Sequence, residues 1–117
     1  MYIQGFVLAV KADREEDYRR LAEMAAGIFK EHGATRVVEA WEDDVPEGEL
    51  TSFPMAVKRE PGEKVVFSWI EYPDRATAER SMQLTMEDER MSDDTTLHEI
   101  MSGARMIWGG FRTIVDA

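Results

Sequence analysis

The sequence predicts an α+β fold in which one antiparallel sheet carries two helices on one face. Three observations predict this class: four runs of β-forming residues, two segments with apolar residues at helical spacing, and the order β-α-β followed by β-α-β. That order is the split βαβ arrangement of ferredoxin-like domains. The chain has 117 residues, and we expect residues 1–117 to form a single domain.

The first strand and the first helix have the clearest patterns. Residues Tyr2 to Val10 are almost continuously apolar, which is typical of a strand buried on both faces. Asp13 and Glu16 have the spacing of a capping box, which predicts the start of a helix. Its apolar stripe runs from Tyr18 to His32, and Gly33 ends it.

Two further strands flank a long connection. Val37 to Trp41 and Lys64 to Tyr72 are rich in β-branched and aromatic residues, which predicts strands two and three. Between them, residues Val45 to Glu63 contain three of the four prolines and no strong period. Connections of this length in a small domain often serve assembly or function.

The last third of the chain predicts a second helix, a short peripheral helix and a final strand. Asp74 can cap a helix that carries Ala78, Met82, Thr85 and Met86 on one face. The polar segment Ser92 to Ser102 favours a short helix, and Arg105 to Val115 favours a strand. Gly109-Gly110 within that strand indicates a bulge or a close backbone contact.

Strands that are buried on both faces need a cover for the sheet face without helices. The same face of a second copy supplies it most simply, so we expect a homodimer whose two sheets close a central barrel. Residues 45–63 could alternatively act as an arm that clasps the partner subunit.

Composition excludes several classes. The formal charge of -10 disfavours nucleic-acid binding, and no apolar run approaches the length of a membrane span. The chain has no cysteine and starts without the pattern of a secretion signal, so we expect a cytoplasmic protein. Phosphate-binding loops, serine-hydrolase elbows and zincin motifs are absent from the sequence, and we expect neither a cofactor nor a metal.

His32 and His98 are the side chains whose charge changes most readily near neutral pH. His32 is the candidate catalytic or ligand-binding residue, although an imidazole at a helix end also has a structural explanation. His98 lies in the acidic segment beside Glu99, where we expect it to be solvated.

Aromatic residues provide the main indication of a pocket. Trp41, Phe53, Trp69, Trp108 and Phe111 could line a cavity at the sheet surface, or they could fill the core and a dimer interface. We take the first four of them as candidate ligand-binding residues.

Charged residues within the apolar runs are further candidates. Arg105 and Arg112 fall in the predicted last strand, and Glu39 and Glu42 fall in or beside the second. Such charges protect edge strands from unwanted pairing, whereas Arg105 or Arg112 could instead orient a ligand. We include Arg105 among the candidate ligand-binding residues.

Several segments of this chain resemble the YbaA-like family of uncharacterised bacterial proteins, which is placed in the dimeric α/β-barrel superfamily. The segments are residues 2–7, 30–34, 43–46, 51–58, 61–69, 105–111 and 115–117. The sequence departs from the family between Asp93 and Gly103, where relatives carry a Pro-Phe-Asp-Gly type turn.

The resemblance implies the fold and the dimer but not an activity. Its superfamily contains cofactor-independent monooxygenases, isomerase-like enzymes and proteins that only bind. We therefore expect a protein that binds a small, partly apolar molecule near His32, Trp69 and Trp108. The alternatives are an enzyme in which His32 or a carboxylate removes a proton, and a non-catalytic structural protein. The sequence contains no asparagine, although some oxygenases of the superfamily use one beside a Trp and a His.

Overall fold

A computed structural model describes residues 1–92 and 96–117, and it confirms the predicted fold class. Its strands are β1 Tyr2–Lys11, β2 Arg36–Trp41, β3 Glu63–Tyr72 and β4 Ile107–Arg112. Its α-helices are α1 Glu15–Glu31, α2 Phe53–Ala56, α3 Arg75–Glu87, α4 Glu89–Ser92 and α5 Thr96–Ile100. Short 3-10 turns cover Ala12–Arg14 and Gly103–Arg105.

The sheet has the order β2-β3-β1-β4, and all of its neighbouring strands are antiparallel. The two ten-residue strands form its centre, with Tyr2 opposite Tyr72 and Lys11 opposite Glu63. The six-residue strands β2 and β4 are the edges, so each leaves one side of its backbone without a partner strand.

One face of the sheet carries the helices and the larger part of the core. The first cluster on this face consists of Leu8, Val10, Leu21, Val66 and Ile100. The second consists of Ala34, Ile70, Tyr72 and Ala78. Because side chains alternate along a strand, the even-numbered residues of β1 and β3 belong to this helix face.

The opposite face is covered at one end only. Val57, which follows α2 and is fully buried, packs against Val7, Ala9 and Val65. Residues 7–10 are consequently buried on both sides, as the apolar run predicted, and the covering segment comes from the chain's own connection rather than from another strand.

The remainder of this second face, here called the open face, is mainly apolar and exposed, with an ion pair between Arg36 and Glu71 at one end. Phe67 is 45% exposed, Ile107 is 45% exposed and Phe111 is 63% exposed. The rings of Phe53 and Trp69 lie 5.8 Å and 5.6 Å from the ring of Phe67, which makes a continuous aromatic row.

The predicted capping box does not form. A 3-10 turn precedes α1, and its Asp13 makes no cap hydrogen bond. Arg14 occupies the N-cap position and places its Nε 2.5 Å from Asp17 Oδ2. Glu15 and Glu16 lie with Asp17 in the first turn of α1. Their negative charges stabilise the helix N-terminus by interaction with the helix dipole, although no side chain caps it.

Gly33 ends α1 with a φ of +119°, as predicted. Asp74 also caps α3 as expected, since its Oδ1 accepts a 2.7 Å hydrogen bond from the Thr77 backbone N–H. The prediction that Met86 shares one face of α3 with Ala78 and Thr85 is wrong, because Met86 is 77% exposed whereas the other two residues are buried.

The final strand is shorter than predicted. It begins at Ile107 and ends at Arg112, so Arg105 and Val115 both lie outside it. Its pairing with β1 runs without interruption through Gly109 and Gly110, so the glycines do not mark a bulge. A Cβ on Gly110 would lie 2.0 Å from the Tyr2 hydroxyl, which explains the glycine by close contact.

The predicted helix in residues 92–102 is confirmed in part. Helix α5 provides its anchor through Ile100, which is fully buried, while residues 93–95 lie outside the described residues.

The cover formed by Val57 generates a stability prediction. Val57→Ala removes two buried methyl groups and leaves a cavity above β1, so the free energy of unfolding should fall by about 1–3 kcal/mol. Met55→Ala is the matched control in the same short helix, since Met55 is 43% exposed. Equal midpoints for the two variants in urea denaturation would contradict this assignment.

Candidate functional site

A cleft of about 300 Å³ opens between α1 and the edge strand β2. Its helix wall comprises Glu15, Tyr18, Arg19, Ala22, Glu23 and Ala26. Its sheet wall comprises Val37, Glu39, Ala40, Trp41 and Val66. The helical residues recur at spacings of three and four, so they form one side of α1, and the small Ala22 and Ala26 leave room above the sheet.

Glu39 is the charged group around which this cleft is organised. Its Oε1 accepts a short hydrogen bond from the Tyr18 hydroxyl, and its Oε2 accepts one from the Ser68 hydroxyl. Ser68 is only 4% exposed. The backbone of Glu39 therefore belongs to an edge strand, while its carboxylate reaches inward beneath α1.

Burial raises the pKa of Glu39 above its ordinary value, although the hydrogen bonds from Ser68 and Tyr18 act in the opposite direction. Burial also raises the pKa of Tyr18, and the neighbouring Glu39 carboxylate raises it further. Tyr18 is thus held as a neutral hydrogen-bond donor, and Glu39 is a carboxyl group with increased proton affinity.

Aromatic rings form the apolar part of the cleft. The centroids of Tyr18 and Trp41 are 6.4 Å apart, and the ring planes are inclined by 50°. Both side chains also pack against the core cluster around Leu8 and Val66, which fixes their positions. The cleft can therefore hold an apolar group beside a carboxyl group.

The tryptophans predicted to bind a ligand lie in three different places. Trp41 lines the cleft. Trp69 lies on the open face, together with Phe53. Trp108 of β4 pairs with Phe6 of β1, so its side chain lies on the helix face at the other edge of the sheet. It is 69% exposed. Trp69 and Trp108 therefore lie on opposite faces of the sheet of this chain, and their ligand-binding role stays a prediction.

His32 lies at the C-terminus of α1, and the cleft lining does not include it. Its Nε2 is 3.3 Å from Asp88 Oδ2. The pKa of Asp88 is lowered, chiefly by hydrogen bonds from Arg90, which also binds Glu31 on α1. His32 thus belongs to a cluster of polar side chains that joins α1 to the end of α3, and its catalytic role stays a prediction.

Arg105 is not a strand residue, contrary to the sequence-based assignment. Its Nη1 and Nη2 lie 2.8 Å and 2.7 Å from the two carboxylate oxygens of Glu63. Nη1 also donates to the carbonyl oxygen of Lys58 at 2.9 Å. The bond from Arg105 lowers the pKa of Glu63. This geometry gives Arg105 a structural role in holding the connection against β3, and its ligand-binding role stays a prediction.

Glu42 has a similar structural partner. Arg59 donates from Nη1 to both of its carboxylate oxygens at 2.8 Å, and the Val65 backbone N–H donates to Oε1 at 2.8 Å. Burial acts to raise the pKa of Glu42, but the bonds from Val65 and Arg59 outweigh it and lower the pKa. Glu42 therefore anchors the connection between β2 and β3 rather than protecting an edge.

Glu39 is the functional candidate that sequence reasoning missed, because its charge was attributed to edge protection. A usable signal was present in the alternation of β2. Val37, Glu39 and Trp41 share one face, and the apolar residues among them identify that face as the one beneath Tyr18.

Within residues 1–92 and 96–117, no group of three or more His, Asp or Glu side chains is placed to hold a metal ion. The helices of the same residues include none that is long and apolar enough to cross a membrane.

Comparison with known proteins places these features in a family. A family model described as "Protein of unknown function (DUF1428)" matches residues 1–101. The "Uncharacterized protein YbaA" of Escherichia coli strain K12 is 50% identical over 117 residues, covering 98% of this chain and 97% of the relative. The YbaA protein of Shigella flexneri matches with the same identity and coverage. The sequence resemblance is thereby confirmed.

A solved structure supports the fold independently. The crystal structure of an uncharacterized NIPSNAP domain protein from Burkholderia xenovorans superposes with a TM-score of 0.62. The alignment covers 100% of this chain and 98% of the other at 11% sequence identity, so it shows a shared fold alone.

The role of Arg105 can be tested by stability. Arg105→Ala leaves the Glu63 carboxylate, whose side chain is 10% exposed, without its cation. The free energy of unfolding should fall by about 1–3 kcal/mol. Arg112→Ala is the control, because Arg112 is exposed at the end of β4.

The same pair has a pH signature. The lowered pKa of Glu63 means that its stabilisation is present above the unfolded-state pKa and is lost as the pH falls through the folded-state value. Urea midpoints below pH 4.5 should therefore converge between wild type and Arg105→Ala. A constant difference across that range would show that the ion pair is not responsible.

Proposed function

The chain belongs to the DUF1428 family of proteins of unknown function, and we propose that it is a homodimer that binds a small, partly apolar molecule between α1 and β2. The observation that carries the binding proposal is the cleft itself, in which an aromatic wall adjoins the Glu39 carboxyl group. Small-molecule sites commonly combine apolar walls with a few converging polar groups.

The size of the cleft limits what it can accommodate. A volume of about 300 Å³ lies at the lower end of the range for small-molecule sites, which suits a ligand of one or two rings. Ala22 and Ala26 set the height of the cleft above Val37, so a larger ligand would require α1 to move.

The open face supports the homodimer. Phe67, Ile107 and Phe111 are too exposed for an isolated protomer to shield them from water. Gly5 and Gly109 pair directly, and the ring of Phe111 lies above them, which keeps this part of the face flat. A flat apolar sheet surface suits packing against another sheet.

Charge favours a second copy over a different partner. The positions around Phe67 and Ile107 on the open face carry no charged side chain, although the chain has a formal charge of -10. Among the charged residues at the end of this face, Arg36 and Glu71 pair with each other, with 3.6 Å between Arg36 Nη1 and Glu71 Oε2. Two such faces can meet without bringing like charges together, and an apolar surface is complementary to itself under two-fold symmetry.

An enzyme remains the second candidate, and Glu39 favours it. A carboxyl group with a raised pKa beside an apolar cleft suits general acid or base chemistry. In an isomerase-like reaction Glu39 would remove a proton from an activated carbon and return it at another position, which needs no cofactor. Glu39, rather than His32, is the group positioned for that role; the cofactor-independent oxygenase alternative has no comparable support among these contacts.

The non-catalytic alternative assigns the 45–63 connection to clasping a partner. Leu50 is 99% exposed and suits such a contact, whereas Val57 fills the protomer's own core. A deletion of residues 51–57 would therefore damage the fold, and Leu50→Ser is the cleaner test of an arm.

The dimer predicts a measurable dissociation. Phe67→Glu should convert a dimer into monomers, because it places like charges at the centre of the proposed interface. Met86→Glu, on the exposed side of α3, adds the same charge and should leave the dimer intact. Sedimentation velocity measures both, and far-ultraviolet circular dichroism verifies folding. A wild-type protein that sediments as a monomer at micromolar concentration would refute the dimer.

The binding site predicts which tryptophan matters. With 2-phenylethanol as a neutral probe, the affinity of the Trp41→Leu variant should be about tenfold lower than that of the wild type, because the probe loses contact with the indole ring. Trp108→Leu is the matched control, because it alters an exposed tryptophan outside the cleft. Ala26→Leu, which narrows the cleft, should have the effect of Trp41→Leu and guards against a folding defect. Amide chemical-shift titration provides both affinity and location, and shifts confined to β4 would place the site elsewhere.

A further inference from the structure

We propose that the ligand of the cleft is an organic amine, with its apolar body against Tyr18 and Trp41 and its ammonium group facing Glu39. This inference rests on the proposed binding function and specifies the chemical class of the ligand. It is carried by the lining of the cleft, which combines two aromatic rings with three carboxylates and one arginine that is paired on its own helix.

Three carboxylates in the described part of the chain have little exposed surface, and each has a cationic partner. Glu42 binds Arg59, Glu63 binds Arg105, and Asp88 binds Arg90 at 2.8 Å. These carboxyl side chains are 10%, 10% and 14% exposed. The pattern is that of a protein that neutralises its enclosed negative charges with arginine.

Glu39 departs from that pattern, and it is more exposed than these three because it lies on the edge strand β2. Its oxygens accept hydrogen bonds from the neutral hydroxyls of Tyr18 and Ser68, and in the described part of the chain it forms no ion pair. Hydroxyl groups stabilise a carboxylate but do not cancel its charge. A ligand that carries a positive charge would supply what the protein itself provides at the other three sites.

The rest of the cleft has the same preference. Its charged lining comprises the carboxylates of Glu15, Glu23 and Glu39 and the single guanidinium of Arg19. Arg19 is already engaged on its own helix, with Nη2 3.4 Å from Glu15 and Nε 3.3 Å from Glu16. An anionic ligand would therefore meet net negative charge and no available cation in the cleft lining.

The aromatic wall is suited to the same ligand class. A cation close to the face of Trp or Tyr is attracted by the negative charge of the ring face, and the attraction increases when water is excluded. Trp41, Tyr18 and Glu39 line the same cleft, so an ammonium group bound there would lie near both an aromatic ring and a carboxylate.

The experiment compares three probes that share a phenyl group and differ in charge: 2-phenylethylamine, 2-phenylethanol and 3-phenylpropionate. Amide chemical-shift titration of the full-length protein at mildly alkaline pH measures each affinity. The amine should bind about tenfold more tightly than the alcohol, as a charge contact plus an aromatic contact would give. The carboxylate should bind most weakly.

Two variants separate the cleft charge from the net charge. Glu39→Gln keeps the shape and can still accept the Tyr18 hydrogen bond, but it removes the negative charge. It should reduce the ratio of the amine affinity to the alcohol affinity to about one, and this ratio is the quantity compared between variants. Glu79→Gln, on the exposed surface of α3, changes the net charge equally and should preserve the preference.

Each outcome decides a different point. If the alcohol binds in the cleft and the amine binds no better, the amine assignment is wrong and the binding function stands. If Glu79→Gln removes the preference as completely as Glu39→Gln does, the preference reflects net charge and the assignment is again wrong. If no probe shifts the cleft residues at millimolar concentration, both the ligand class and the binding function are refuted.

Discussion

The sheet has apolar side chains on both of its faces, but helices cover only one face. The rest of the structure depends on how the other face is covered. Alternation along β1 and β3 sends Leu8 and Val66 towards the helices and Val7 and Phe67 towards the other side. The chain covers only the end of that other side with Val57. The long connection between β2 and β3 is therefore part of the core, and its arginine contacts hold Val57 over the sheet.

The two edges of the sheet differ because the helices cover them differently. At β2, the small side chains of Ala22 and Ala26 on α1 leave a gap between the helix and the strand, and this gap is the cleft. At β4, Trp108 and Arg112 remain exposed. The β2 edge thus carries a cleft with a carboxylate and two aromatic rings, whereas the β4 edge carries an exposed indole.

Much of the fold could be predicted from the sequence, because the strands and α1 follow strong local rules. Runs of β-branched residues, a glycine at positive φ after α1 and Asp74 before α3 each act within a few residues. The predictions failed where the local structure depends on a contact with a residue that is distant in the sequence. Arg105 leaves the strand to bind Glu63, and Gly110 is required by Tyr2, more than one hundred positions away in the chain.

The site was less predictable for the same reason. Trp41 was a candidate from the sequence because large aromatic residues often line pockets. The place of Glu39 in the cleft depends instead on hydrogen bonds from Tyr18 and Ser68, which come from two other elements. A charge in a strand has the same sequence signature whether it faces water or an enclosed hydroxyl. Only the tertiary arrangement distinguishes these cases, through burial and the partners of each carboxylate oxygen.

The carboxylate of Glu39 is also a joint between three elements, since it ties α1 through Tyr18 and β3 through Ser68 to its own strand β2. A ligand that draws this group towards itself must compete with those two hydroxyls. Occupancy of the cleft is then mechanically linked to how firmly the first half of α1 is held on the sheet. Under the proposed binding function, the position of α1 would therefore depend on what occupies the cleft, whereas the sheet would stay unchanged.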